Sequence, residues 1–255
     1  MSHAPRLEAG EVHIWCVKLA CDSSELGRLE GLLVPAELSR ADRLLDRQAR
    51  DRYVAGRGFL RQTLGPYLGM LPQQILISEG EHGKPFLAGN DAAAGAIRFN
   101  LSHAGNLALF AMASEREVGI DVEEVSGEAP ILDMAKISFS DREREELLQL
   151  PQELQRPAFY RCWTRKEAYL KGCGLGFSLP SDSFDVSLLP ESPPALIAHR
   201  LLPDDPVRWR LLDLAVPEGF CAALAVEGRL PIIRYVTTCC ACANDIGRQQ
   251  PAGNY

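Results

Sequence analysis

A predicted helix near the middle of the chain brings one carboxylate and two lysines together. In Phe159–Phe177, FYRCWTRKEAYLKGCGLGF, a 3.6-residue period stacks Trp163, Glu167 and Lys171 on one face, with Lys166 beside Glu167. Such a face could hold a divalent cation together with the phosphates that the cation neutralises. The alternative is a solvent-exposed helix in which each Glu–Lys pair contributes only ~0.2–0.5 kcal/mol.

A second group of acids lies upstream. In Glu117–Val125, EVGIDVEEV, apolar residues alternate with polar ones, which predicts a strand with one buried face. Asp121 and Glu123 then project from the same face, roughly 6–7 Å apart at the backbone, and Glu124 faces the other way. Two carboxylates at that separation raise each other's pKa unless a cation lies between them. The pair suits Mg²⁺, which takes one or two carboxylates plus phosphates and waters, but acidic strand edges without a metal are also common.

Two further segments carry groups that suit phosphate. Glu81–Leu87, EHGKPFL, is a predicted turn that presents Lys84 at its tip. Phe99–Ala111, FNLSHAGNLALFA, begins with a predicted polar turn that contains Ser102 and His103 and continues as an apolar strand. The hydroxyl and imidazole can donate to a phosphate oxygen. No acid is placed to orient them as a nucleophile and its base.

The elements that must position these residues predict a mixed α+β chain. Two stretches read as helical besides the central one: Pro35–Leu68, with a break at Gly65-Pro66, and Ile131–Leu150. Short apolar runs before and after them read as strands, at residues 12–17, 183–188, 196–201, 209–214 and 221–226.

The order of the motifs resembles a known family. GKP, FNLSH, GIDVEEV and the central helix follow one another between Gly83 and Phe177, and SLPSDSFDV at Ser178–Val186 continues the match. This ordered set resembles the 4′-phosphopantetheinyl transferases of the Sfp type. The resemblance is looser towards the N-terminus and absent from the last two dozen residues.

The resemblance implies both a reaction and a fold. Coenzyme A would bind with Mg²⁺ on its pyrophosphate, a serine hydroxyl of an apo acyl or peptidyl carrier protein would attack the β-phosphorus, and 3′,5′-ADP would leave. Family members fold as two similar α+β lobes related by a pseudo-two-fold axis, with the ligand cleft between them. The expected lobes are residues 1–115 and 116–230, followed by an irregular tail at 231–255.

The resemblance also implies roles for individual residues. The metal ligands would be Asp121, Glu123 and Glu167, and the catalytic residues would be Glu167, as a proposed general base, and Lys171. The expected coenzyme A ligands are Arg52, Lys84, Ser102, His103, Lys166 and Lys171. Glu143 aligns with an acidic residue of the family, and Arg40 and Arg43 lie where some members carry lysines near the 3′-phosphate.

Composition narrows the classes of protein that remain. The 255 residues carry a formal charge of −7, which argues against nonspecific nucleic-acid binding, since that needs a basic face. No stretch of about 18 apolar residues predicts a membrane span, and the N-terminus lacks the pattern of a secretory signal. We expect a cytoplasmic monomer that recognises its carrier through an apolar groove. Three of the eight cysteines, Cys239, Cys240 and Cys242, lie in the expected tail. An irregular tail is favoured there over a metal clip because no histidine is near.

Two other functions stay open from the sequence. A metal-dependent phosphohydrolase acting on a small nucleotide such as coenzyme A would use the same acids and lysines to position water, and it would need no protein acceptor. A non-catalytic module that binds coenzyme A or the carrier would not need Mg²⁺, so the acidic set around Asp121 speaks against it.

Overall fold

The computed structural model describes residues 6–89 and 95–237. In chain order the strands are β1 (Glu11–Lys18), β2 (Ile77–Glu79), β3 (Pro85–Leu87), β4 (Ile97–Ala104), β5 (Leu107–Ser114), β6 (Val118–Glu124), β7 (Phe184–Val186), β8 (Leu196–His199), β9 (Trp209–Asp213), β10 (Phe220–Glu227) and β11 (Ile232–Thr237). The α-helices are α1 (Ser23–Glu30), α2 (Pro35–Asp42), α3 (Arg47–Leu68), α4 (Ile131–Ser138), α5 (Asp141–Gln149), α6 (Gln152–Cys173) and α7 (Asp205–Arg208). The expected mixed α+β class is confirmed.

Two main sheets build the scaffold. The first has the order β11-β1-β5-β4 and the second the order β6-β10-β9. Within them β11 is parallel to β1, and the other neighbours are antiparallel. Two small hairpins, β2–β3 and β7–β8, lie outside these sheets.

The core is arranged in layers by the alternation of side chains along each strand. One layer packs α3 on the first sheet, where Phe59 shares a core cluster with Phe110 and Met112. The next layer lies between the sheets, where Val118, Ile120 and Val122 of β6 join apolar residues of β1 and β5. A further layer packs α6 on the other face of β10. Because Asp121 alternates with the apolar residues of β6, it faces α6.

Three expected boundaries are wrong. The helical stretch at residues 35–68 breaks after α2, because Asp46 caps a new helix by accepting from the Ala49 amide at 2.7 Å. It does not break at Gly65-Pro66: Pro66 stays within the last turn of α3, and Gly69, with φ 63°, ends the helix. The stretch at 131–150 splits in two, because Ser140 caps α5 through a reciprocal pair of hydrogen bonds with Glu143. The expected polar turn at Ser102 and His103 is part of β4, and the turn follows at Gly105, with φ 53°.

The irregular tail predicted for residues 231–255 is also wrong in part, since residues 232–237 form β11. This strand lies at the edge of the first sheet, where Arg234 Nε donates to Glu11 Oε1 at 2.9 Å and Tyr235 Oη accepts from Ala215 N at 2.8 Å. The alternation of exposed and half-buried residues from Ile232 to Tyr235 suits an edge strand. The three tail cysteines lie outside the described residues.

The chain passes from the first sheet to the second between Ser114 and Val118, close to the expected lobe boundary. The return of β11 means that the first sheet also contains residues from beyond position 230. The pseudo-two-fold relation between two lobes stays a prediction. No α-helix in residues 6–89 and 95–237 is long and apolar enough to cross a bilayer.

Candidate active site

Glycine contacts bring α6 unusually close to β6. A Cβ on Gly119 would lie 2.1 Å from the Ala168 carbonyl oxygen and 2.2 Å from the Gly172 nitrogen. A Cβ on Gly172 would lie 2.7 Å from the ring of Trp209. Neither position has room for a side chain, so the strand and the last turns of α6 touch through their backbones. Because of this contact, the face of α6 that carries Glu167 and Lys171 lies beside Asp121.

Side chains join the two sheets along β4 and β6. Asn100 Oδ1 accepts from the Ile120 amide at 3.0 Å, and Ser102 Oγ accepts from the Val122 amide at 3.3 Å. Both polar side chains are buried, and they satisfy amides on a strand edge that a neighbouring strand would otherwise pair. The first sheet therefore delivers Ser102 directly to the strand that carries Asp121.

Asp121 is the centre of the site. Its Oδ1 accepts from Ser102 Oγ at 2.9 Å and from Lys171 Nζ at 2.6 Å, and Lys171 Nζ also donates to Ser102 Oγ at 2.9 Å. Its Oδ2 is buried with no hydrogen-bond partner among the described residues. Burial raises the pKa of Asp121, and the charge and hydrogen bond of Lys171 oppose that rise only in part.

Two more carboxylates face the same space. Glu123 Oε1 accepts from Trp163 Nε1 at 3.1 Å. Burial, followed by the charge of Asp121, raises the pKa of Glu123, and the same two causes raise the pKa of Glu167. The charge of Lys171 acts on all three carboxylates. The expected metal ligands are thus close enough to repel one another.

This donor set fits a hard divalent cation. Among residues 6–89 and 95–237, no three His, Cys, Asp or Glu side chains form a ready-made metal cluster. However, the unpartnered Oδ2 of Asp121 is a buried carboxylate oxygen beside two further carboxylates with raised pKa values. A bound cation would supply the missing partner and reverse those shifts.

A group of cations borders the acids. Partial burial, and then the charges of Lys171 and Arg52, lower the pKa of His103, so both cations lie within electrostatic reach of the imidazole. Arg52 Nε donates to Asn106 Oδ1 at 3.1 Å in the turn that follows β4. Three of the expected coenzyme A ligands therefore lie together, next to Ser102.

Lys84 lines a cleft of about 430 Å³. Its Nζ donates to Glu117 Oε2 at 2.6 Å and to the Gly172 carbonyl at 2.7 Å. Glu117 Oε1 also accepts from Arg98 Nε at 3.0 Å. The remaining walls are largely apolar and include Pro85, Phe86, Leu87, Ile97 and Phe99. Gly83 adopts φ 82° in the turn before Lys84, as a GKP turn requires.

Lys166 does not join the site. Its Nζ donates to Glu143 Oε1 at 2.8 Å, to Glu143 Oε2 at 2.7 Å and to the Phe184 carbonyl at 2.8 Å. The side chain is 2% exposed and that of Glu143 is 0% exposed. An ammonium has three hydrogens to donate, and all are used in the core. The expectation that Lys166 binds coenzyme A is therefore wrong, and its role is structural.

The arginines expected near the 3′-phosphate differ in their surroundings. Arg40 pairs with Glu79 at 3.2 Å and lies over the ring of Tyr53 at 5.6 Å. Its guanidinium already has protein contacts. Arg43 directly follows α2, and its contact with the 3′-phosphate stays a prediction.

Sequence reasoning missed three contributors. Asn100 lies within the FNLSH motif, but nothing in the pattern indicates its bond to the Ile120 amide, and Glu117 carries no signal beyond its charge. Gly119 did carry a signal, because an isolated glycine within a strand pattern indicates a close backbone approach.

Comparison with known proteins defines the class of enzyme. Residues 117–225 match the profile of the 4′-phosphopantetheinyl transferase superfamily, and residues 21–116 match the profile named 4′-phosphopantetheinyl transferase, N-terminal. Together the two profiles cover both sides of the β4–β6 junction. They describe enzymes that transfer 4′-phosphopantetheine from coenzyme A to carrier proteins.

Individual relatives agree with the profiles. The 4′-phosphopantetheinyl transferase HetI of Nostoc sp. is 39% identical over 222 residues, which cover 87% of this chain and 90% of that protein. The 4′-phosphopantetheinyl transferase Sfp of Bacillus subtilis is 32% identical over 162 residues, 63% of this chain and 69% of that protein. The chain belongs to the 4′-phosphopantetheinyl transferase superfamily, of the Sfp type. The holo-[acyl-carrier-protein] synthase of Thermotoga maritima overlaps 44% of this chain and 63% of that one, with a TM-score of 0.34 and 21% identity.

Proposed function

We propose that this enzyme transfers 4′-phosphopantetheine by direct attack of a carrier serine on coenzyme A, with Mg²⁺ as its metal and 3′,5′-ADP as the leaving group. The observation that carries this proposal is the junction of Ser102, Asp121 and Lys171, where a strand of each sheet and one helix meet. Family membership sets aside the phosphohydrolase and the non-catalytic module.

The metal would be held by Asp121, Glu123 and Glu167. Bound there, Mg²⁺ would neutralise the charge of the pyrophosphate in the transition state. The unpartnered Asp121 Oδ2 supports this assignment.

The cations hold the nucleotide. Lys171 faces the acids and is about one-third exposed, so its ammonium can exchange Asp121 for a phosphate oxygen. Ser102, His103 and Arg52 supply further donors for the phosphates, and Lys84 borders the cleft beside the adenine nucleotide. The charges of Lys171 and Arg52 oppose protonation of His103. A bound phosphate would offset those charges, so the imidazole would then gain a proton more readily.

Glu167 is the proposed general base. In the reaction the serine Oγ forms a bond to the β-phosphorus, the bridging P–O bond to 3′,5′-ADP breaks, and the serine proton passes to the carboxylate. Glu167 suits this role because its carboxylate lies within electrostatic reach of Asp121, Glu123 and Lys171, where the serine hydroxyl would meet the pyrophosphate. In this way the enzyme needs no nucleophile of its own.

The acceptor would be an apo acyl or peptidyl carrier domain. We propose that the enzyme acts as a cytoplasmic monomer. It would bind its carrier through an apolar surface, because carrier proteins are usually acidic and this chain also carries a net negative charge, so long-range attraction between them is unfavourable.

One experiment tests the reaction. The protein is incubated with coenzyme A, Mg²⁺ and a panel of apo carriers, and intact-mass spectrometry follows the carrier. A phosphopantetheine adduct on the carrier serine, together with stoichiometric 3′,5′-ADP, is expected. Release of 3′,5′-ADP without an adduct on any carrier would contradict direct transfer.

A further inference from the structure

The turn between β2 and β3 packs on the glycine-rich end of α6. A Cβ on Gly174 would lie 3.2 Å from Lys84 Cδ, and a Cβ on Gly176 would lie 2.9 Å from His82 Cβ. Both glycines have positive φ, 68° and 53°, so the backbone also needs them for its own conformation. The GKP turn and the end of the catalytic helix are thus fitted to each other.

The Lys84 ammonium fixes this contact. It donates to the carbonyl oxygen of Gly172, in the last turn of α6, and its side chain is only 18% exposed. A cation at the C-terminal end of a helix satisfies a free carbonyl and interacts favourably with the helix dipole. Gly172 directly follows Lys171, so the bond restrains the backbone from which the Lys171 side chain extends.

Glu117 ties the same ammonium to the neighbouring strand. Its Oε2 accepts from Lys84 at 2.6 Å, and its Oε1 accepts from Arg98 at 3.0 Å. Glu117 directly precedes β6, the strand that carries Asp121. A single lysine therefore connects the last turn of α6 to the start of β6, the two elements whose side chains meet in the active site.

We propose that Lys84 and Glu117 form a positioning pair that holds the Lys171 ammonium in place against Asp121 and the pyrophosphate. This inference rests on the proposed function, in which Lys171 contacts the phosphates. Two of the three hydrogens of the Lys84 ammonium are used within the protein, and its charge is balanced by Glu117. Its main contribution is therefore to Lys171 and not to direct attraction of the nucleotide.

The test replaces each partner without removing its packing. Lys84→Met keeps the stem that packs on Gly174 and removes the ammonium, and Glu117→Gln keeps the shape and removes the charge. Each should lower kcat/KM by roughly tenfold, because small misplacements of a group that contacts the reacting centre are costly. The loss should divide between kcat and KM in the same proportion as in Lys171→Ala.

A double-mutant cycle separates positioning from direct binding. If Lys84 acts through Lys171, adding Lys84→Met to Lys171→Ala should change kcat/KM by less than about twofold. Lys84→Arg, which keeps a donor at the same place, should recover most of the activity. Lys136→Met is the matched control, since Lys136 forms an exposed pair with Asp133 on α4; its kcat/KM should equal that of the wild type.

Several results would overturn the inference. Independent, multiplicative losses from Lys84→Met and Lys171→Ala would make Lys84 a direct ligand of the nucleotide. A wild-type kcat/KM in Glu117→Gln would remove Glu117 from the positioning pair and so overturn the pair as proposed. If Lys84→Met fails to fold, Glu117→Gln completes the same cycle, because its side chain is more than one-third exposed. A wild-type rate in Lys171→Ala itself would contradict the proposed function, which makes the two failures distinguishable.

Discussion

Replacing Asp121 with alanine should lower the transfer rate strongly and change the stability of the fold only slightly. Asp121→Ala removes the side chain on which Ser102 and Lys171 converge. If this carboxylate holds Mg²⁺, transfer should fall by ~10² or more, the loss typical when a group that stabilises transition-state charge is removed. The fold, in contrast, should change little.

The expected effect on stability follows from the contacts. The pair between buried Asp121 and Lys171, which is about one-third exposed, contributes roughly 1 kcal/mol, and the hydrogen bond from Ser102 contributes about 1 kcal/mol. Against these losses, removal of the buried, unpartnered Oδ2 returns about 1–3 kcal/mol. The terms nearly cancel, so the melting temperature should stay within about 4 °C of the wild type.

The pH dependence of this difference has a definite sign. Burial raises the pKa of Asp121 in the folded protein, so folding favours the protonated acid. Wild-type stability should therefore fall as pH rises from the ordinary aspartate pKa of about 4 through the raised value. Asp121→Ala lacks this step, and its stability relative to the wild type should improve between acidic and neutral pH.

The assay combines transfer kinetics with thermal melts at several pH values, with and without Mg²⁺. Mg²⁺ should raise the melting temperature of the wild type, because a ligand that binds only the native state stabilises it, and should leave that of Asp121→Ala unchanged. Wild-type transfer by the variant, or undiminished wild-type activity in EDTA, would refute the metal assignment.

Three other predictions concern neighbouring parts of the molecule. Ser102→Ala should mainly raise KM for coenzyme A, with turnover still visible at saturation; a covalent phosphopantetheine on Ser102 would contradict direct transfer. Glu167→Gln should lower kcat far more than coenzyme A affinity, whereas Lys171→Ala should weaken both, as rate and binding assays would show. A chain ending at Arg229 loses β11 and should melt more than ~5 °C lower, while one ending at Thr237 should keep transfer within a few-fold.

Much of the fold follows from local pattern. Strict alternation in β6 and apolar runs in β5 and β10 correctly predicted strands, since each buries at least one face. The errors arise where a single contact decides where a helix begins or whether a segment forms a strand. Ser140 starts a new helix only because Glu143 returns its hydrogen bond, and β11 is a strand only because β1 offers it an edge. The capping box of Ser140 and Glu143 is a local signal that the helical period outweighed, whereas β1 lies more than 200 residues from β11 along the chain.

The candidate site was predictable in its acids and less so in its cations. Asp121 and Glu123 share a strand face by simple alternation, and Glu167 and Lys171 share a helix face by period. The strand and the helix come together through the backbone contact at Gly119. The sequence pattern suggests a close approach at this glycine, but it does not show that the partner is α6. The helical period also did not show that Lys166, the residue before Glu167, points into the core.

Three cations of α6 show why charge and spacing alone do not assign function. Arg165 is 1% exposed and forms a forked pair with Asp213, and Lys166 gives all its hydrogens to Glu143 and a carbonyl. Both charges are balanced within the protein. Freeing Lys166 would leave the buried carboxylate of Glu143 unpaired, and freeing Arg165 would leave its own buried guanidinium without its carboxylate, each at a cost of about 3–5 kcal/mol. Lys171 differs because it remains about one-third exposed and its acceptor, Asp121, has a second oxygen without a partner. A phosphate and its cation could therefore replace the Lys171–Asp121 contact without leaving either charge unpaired, which is why the proposed mechanism assigns the change of partner to Lys171.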